Sequence, residues 1–142
     1  MKKINFISFI LIFAFSVSAA FAQKTYTPAK NSPTRATILN ALRAPVSKEL
    51  KQEVSFLVST FKVQGNWAFI SGQARNAKGG EVNWKITDYQ EQIDDGAFDD
   101  NLFALLKKKG GKWSVITYAI GCTDVCYLGW DEEYKAPKAI FP

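Results

Sequence analysis

KKKGGKWSVITYAIGCTDVCYLGW, residues 107–130, is the stretch from which the rest of the chain is read. Gly110-Gly111 lies between two apolar runs, 102–106 and 113–120. Glycine supplies the positive φ that tight hairpin turns need, so the pair predicts a turn joining two antiparallel strands. Beyond it, Trp113, Val115, Thr117 and Ala119 alternate with Ser114, Ile116, Tyr118 and Ile120. Both sets are largely apolar, which predicts a central strand covered on both faces. Gly121 ends the strand, and a C-x3-C loop follows, Cys122 to Cys126 with Asp124 at its centre, closed by Tyr127 and Gly129-Trp130.

Upstream, the same period-two logic predicts a first hairpin: 53–63, a turn at Gln64-Gly65-Asn66, and 67–75 returning along it. Val82, Trp84 and Ile86 alternate with Asn83, Lys85 and Thr87, the pattern of a half-exposed strand. Residues 91–100 form an acidic loop, and 101–109 lead into the final hairpin. Before the strands, Ile38, Leu39 and Leu42 share a helical face over 34–42, with Ser32 as N-cap and Pro33 at the first helical position. Pro45 is expected to interrupt or kink that helix, with 46–51 adding a further turn.

The beginning of the chain has the composition of a targeting segment. Lys2 and Lys3 precede an apolar run over 4–17, and Ala20-Phe21-Ala22 fits an A-x-A cleavage site before Gln23. The run is short for a membrane span. Residues 1–22 are therefore expected to be a signal peptide cleaved between Ala22 and Gln23. Residues 23–32, with Pro28, are then a flexible tether, and 33–142 one domain with no membrane span, in the periplasm or secreted. Cleavage takes two of the 18 basic residues and leaves 13 acids, a net charge of +3. That excess suits anionic envelope surfaces or polymers; export and the lack of a dense basic stripe argue against nucleic acid.

The sharpest exclusion is compositional: the chain has no histidine. Ser-His-Asp and Cys-His nucleophilic sites and the H-E-x-x-H zinc site cannot be built. Ser59-Thr-Phe-Lys62 matches S-x-x-K, but a strand points residues three apart to opposite faces, and the companion S-D-N and K-T-G motifs are missing. Glu91, Asp94, Asp95, Asp99 and Asp100 crowd around Gly96, yet their spacing is not that of a calcium loop, so a solvated acidic loop and no metal is the expectation. Cys122 and Cys126 read as a structural disulfide in an oxidising compartment, against two free thiols or a redox pair. The C-x-x-C spacing of catalytic dithiols is absent.

The order helix-then-strands resembles the cystatin-like superfold, including the nuclear-transport-factor-like and SnoaL-like domains. LLKKKGGKWSVITYAIG is similar to their paired last strands. RATILNALR, NWAFISG and the run GGKWSVITYAIGCTDVCYLGW through AIFP resemble a group of small secreted bacterial proteins. The resemblance implies an α+β fold, one N-terminal helix packed on a curved antiparallel sheet of about five strands. Enzymes of that superfold use Asp or His acid–base groups in a cone-shaped pocket, and here only acids are available for such a role. No cystatin-type Q-x-V-x-G inhibitory loop occurs.

Two functions follow as expectations. The first is a non-catalytic module binding a partner protein or small ligand of the envelope, as monomer or homodimer and without a cofactor. Its site is drawn from Asp124, Tyr127, Trp130, Trp84, Tyr118 and Asp88. The second is a small-pocket enzyme with Asp124 or Asp88 as general base beside Tyr118 or Tyr89. Trp67 and Trp113 are expected in the core; Trp130, in a loop beside Gly129 and Asp131, is a candidate for surface recognition.

Overall fold

The computed structural model describes residues 23–142; the expected signal peptide lies outside the described residues. The chain is α+β. Helix α1 (Pro33–Leu50) precedes strands β1 (Val54–Gln64) and β2 (Trp67–Asn76), a short helix α2 (Gln90–Asp94), strands β3 (Leu102–Lys109) and β4 (Lys112–Ile120), and helix α3 (Trp130–Tyr134). The four strands form one open antiparallel sheet in the order β1-β2-β3-β4.

Ser32 caps α1 as its sequence implied, its Oγ accepting from Arg35 N–H at 3.2 Å. Pro45 does not interrupt the helix. A proline here leaves the carbonyl four residues back without its helical donor. The cost is outweighed by Ile38, Leu42, Val46 and Leu50, which repeat every four residues and are all fully buried in one stripe against the sheet. In the segment read as a tether, Tyr26 exchanges two backbone hydrogen bonds with Val63, at 2.8 and 2.9 Å, and Pro28 is buried.

The sheet differs from expectation in three places. Val82–Thr87 is not a strand: Trp84–Ile86 is a single 3₁₀ turn, so the sheet has four strands rather than five. Alternation over so short a run cannot distinguish a strand from a turn that buries Val82 and Thr87 only. Next, β4 is an edge strand, not a central one. Its two-sided apolar character has another origin, which is the third difference. Leu105 pairs with Thr117 but Leu106 pairs with Val115, leaving Ile116 as a bulge. An extra residue reverses the faces beyond it. Trp113 and Val115 therefore share the helix-side core with Tyr118 and Ile120, while Ala119 faces the other way.

That other face is covered by the C-terminal segment. Phe69 and Leu105 from the sheet pack with Trp130, Ala136 and Ile140, joined by Tyr127 and Phe141. Trp67 is half-buried beneath Lys107, and Trp113 is buried. Among the described residues no helix is long and apolar enough to cross a membrane.

Candidate functional site

The residues singled out from sequence do not converge on one site. Tyr118 lies on the helix side of β4, and Tyr89 stands immediately before α2. Between them is a residue that sequence reading missed: Glu49, in the last turn of α1. Tyr89 donates its phenol hydrogen to Glu49 Oε1, and Tyr118 donates to Oε2. Trp84 and Phe98 pack against Tyr89, with Trp84 edge-on to Tyr89 at 6.1 Å and to Phe98 at 4.8 Å between ring centroids. Glu49 is the sole acid of α1 and follows Val46 by three residues, so it borders the buried stripe. That position was the available signal, because a carboxylate beside an apolar helical face must find donors.

Chemically, this arrangement is a latch. Both carboxylate oxygens are occupied by phenols from separate elements, which ties the end of α1 to β4 and to the connection before α2. A general base needs an oxygen facing its substrate, and here each already accepts a phenol. Burial, foremost, pushes both phenols well above the usual tyrosine range, and hydrogen bonding to Glu49 and its negative charge add to the shift.

The direction sets a pH dependence. A phenol whose folded pKa exceeds its unfolded value of about 10 contributes stability that is complete below that value and is lost as pH rises toward the folded one. Unfolding free energy is thus expected to fall above about pH 10, and a Tyr89→Phe/Tyr118→Phe variant to show a shallower fall. Chemical denaturation of both proteins over alkaline pH measures the difference; equal slopes would show that the phenols titrate alike in the folded and unfolded chains.

Asp88 is not on a strand face and does not join this group. Its side chain is 84 % exposed and pairs with Lys51 Nζ at 2.6 Å. The 3₁₀ turn that replaces the expected strand carries it outward, and an ion pair so exposed adds little stability. Asp124 accepts from Val125 N–H within its own loop at 2.7 Å. Asp88 adjoins Tyr89 in the chain and its charge adds to that phenol's upward shift, but its carboxylate is paired with Lys51, and Asp124 is bonded to its own loop.

The C-x3-C loop is closed by a Cys122–Cys126 disulfide with 6.2 Å between Cα atoms. Asn101 fixes its start: the side-chain amide donates to Cys122 O at 2.5 Å, and the backbone carbonyl accepts from Gly121 N–H at 2.9 Å. Tyr127 turns inward, its ring 5.0 Å from both Phe69 and Phe103. Trp130 is also internal, at 7 % exposure, which removes it as a surface-recognition residue. The burial is non-local: the glycine and acid beside it suggested a loop, but the rest of the tail folds over it.

Just beyond the disulfide, Leu128 is 82 % exposed, and Val125, three residues before it, is half-exposed. A cleft of about 110 Å³ adjoins Leu128, lined also by Tyr127, Gly129, Asp131, Lys138, Phe141 and Pro142. A larger open groove of about 700 Å³ runs between α1 and the start of β1, and Glu49 is not in its wall. Among the described residues, no three acids or cysteines gather as a metal site. No family model, curated protein or solved structure matches the chain.

Proposed function

We propose that the protein is an exported, non-catalytic binding module with a cystatin-like arrangement, and that the loop from Cys122 to Trp130 docks a partner protein. The helix-then-meander order supports the fold reading. The observation that carries the functional one is Leu128: a large apolar side chain, nearly bare, two residues beyond the Cys122–Cys126 disulfide and held between Tyr127 and Trp130, which pack into the aromatic cluster. Holding such a residue in one place lowers the entropy lost when a partner closes over it. The neighbouring cleft of about 110 Å³ is well under the 300 Å³ or so of small-molecule sites, but accepts one side chain from a partner. Knob and cleft together suit a protein surface better than a small ligand. The acid–base alternative is weakened by the exposed, ion-paired Asp88 and by the doubly engaged Glu49.

Leu128→Asp is expected to change unfolding free energy by no more than about 0.5 kcal/mol, since the side chain buries little. It should abolish recognition. A photo-reactive residue at 128, with a control at exposed Lys85, reads this in the native host. A discrete adduct from 128, absent from 85 and suppressed by a Val125→Asp background, supports the loop as the docking point. Equal labelling from both positions, or none from 128, overturns it.

A further inference from the structure

The charges of this molecule are sorted by end. Antiparallel pairing places the β1–β2 turn and the β3–β4 turn side by side, where Lys108 N–H donates to Asn66 O at 2.7 Å and Trp67 pairs with Lys107. The N-terminal segment joins the same end through Thr25, which bonds Gln64 at 3.0 Å. This end carries Lys24, Lys107, Lys108, Lys109 and Lys112. Neither hairpin contains an acid: no Asp or Glu occurs over 54–80 or 101–123. Most carboxylates lie at the opposite end, in the connection between β2 and β3, near the end of α1 and in the disulfide loop.

Three features make the lysine end more than an average surface. Among the described residues, the one salt bridge joins Lys51 to Asp88 at the far end, so these lysines have no carboxylate within bridging distance. Lys109 is paired directly across the strands with Lys112, and like charges so placed oppose folding. The tip between them is open, with no heavy atom within 4 Å of where a Cβ would stand on Gly110 or Gly111.

We propose that this hairpin end is an electrostatic docking face for an anionic lipid-headgroup surface. The chemistry favours a membrane over other polyanions. Lysines are point charges without the planar fork that fixes a single phosphate, and Arg35, the arginine nearest this end, is held over the Phe61 ring and bonded to Pro28 O. Turn tips projecting together present charge to a plane and offer no groove to a nucleic-acid strand. Trp67, under Lys107 at 4.5 Å, adds an amphipathic ring of the kind found at headgroup depth. The acidic opposite end orients the molecule, since an anionic surface repels it.

The test is co-sedimentation of the purified protein with phosphatidylcholine vesicles that contain or lack phosphatidylglycerol. Binding is expected only with the anionic lipid, and is expected to disappear as salt screens it. Lys108→Gln/Lys109→Gln/Lys112→Gln should weaken it roughly a hundredfold, from about one lysine's worth of attraction per position. Its thermal midpoint should stay level or rise, because the Lys109–Lys112 repulsion is gone. Lys48→Gln/Lys85→Gln/Lys135→Gln removes the same net charge elsewhere and should leave binding nearly intact. No binding to the anionic vesicles, equal weakening by both triple variants, or tighter binding to a DNA duplex or polyglutamate at the same salt would each overturn the proposal.

Discussion

Phe69→Ala is expected to lower unfolding free energy by about 3–5 kcal/mol, the largest effect of any truncation on the sheet's back face. Phe69 has no exposed surface, and its ring meets Phe141 at 4.9 Å and Tyr127 at 5.0 Å between centroids. Around it are Leu105, Trp130, Ala136 and Ile140. Removing the ring leaves a void whose walls come partly from the sheet, which cannot move inward, and partly from the C-terminal segment, which can only detach. Urea denaturation gives the size of the loss, and limited carboxypeptidase digestion its location. The expected pattern is destabilisation together with faster trimming from Pro142. A loss below about 1.5 kcal/mol would show that the segment collapses into the void. Rapid trimming of the unaltered protein would show that the tail is not held by this cluster.

That cluster also marks the limit of what the sequence made legible. The first half of helix α1 and the four strands were readable because their signals are local: a serine cap, the apolar face of Ile38, Leu39 and Leu42, β-branched runs and glycine turns; the uninterrupted passage through Pro45 was not. The roles of Trp130 and Tyr127 were not, because burial there is created by residues 136–141 folding back across the sheet. Nothing in Tyr-Leu-Gly-Trp-Asp distinguishes an aromatic that a tail will cover from one left in solvent. The same limit applied to β4, whose edge position depends on strand order and not on its own composition.

Bulges were a different kind of miss. Ser59 and Ile116 are ordinary strand residues, so neither announced that it would be left unpaired. The clue to the first lay across the ladder. Gly72 stands in the middle of β2, and a Cβ there would come 2.1 Å from Leu57 O. A glycine inside a strand commonly marks close backbone approach. Taken that way, it would have placed the β1 irregularity and kept Phe61 and Val63 on the same face as Val54 and Phe56. No such partner flags Ile116, and the consequence there was larger. It is the bulge that brings Tyr118 to Glu49's side of the sheet, so the phenol–carboxylate latch was hidden from any strict alternation. Asp88 was misplaced for a related reason, since the strand meant to carry it inward is a 3₁₀ turn.

Gly121→Ala is expected to cost about 2–4 kcal/mol, and its cause can be divided in two. Gly121 has φ +78°, where an L side chain is strained by about 1–2 kcal/mol. Its missing Cβ would also lie 2.2 Å from the Phe98 ring, which is held against Trp84 and Tyr89. Relief would require Phe98 to leave that group, or Gly121 to give up its backbone bonds to Asn101 O and from Asp99 N–H. Gly110→Ala separates the two causes, because Gly110 has φ +57° but nothing near its Cβ position. It should show the conformational cost alone, about 1–2 kcal/mol. The excess at Gly121 then measures the clash, and Phe98→Ala in the Gly121→Ala background should recover part of it. Because Gly121 joins β4 to the disulfide loop, the strained variant should also loosen Asn101's hold on Cys122. Faster amide exchange at 122–126 is the expected sign. Equal costs at Gly121 and Gly110 would mean that Phe98 yields freely and that its packing against Trp84 and Tyr89 does not constrain the loop.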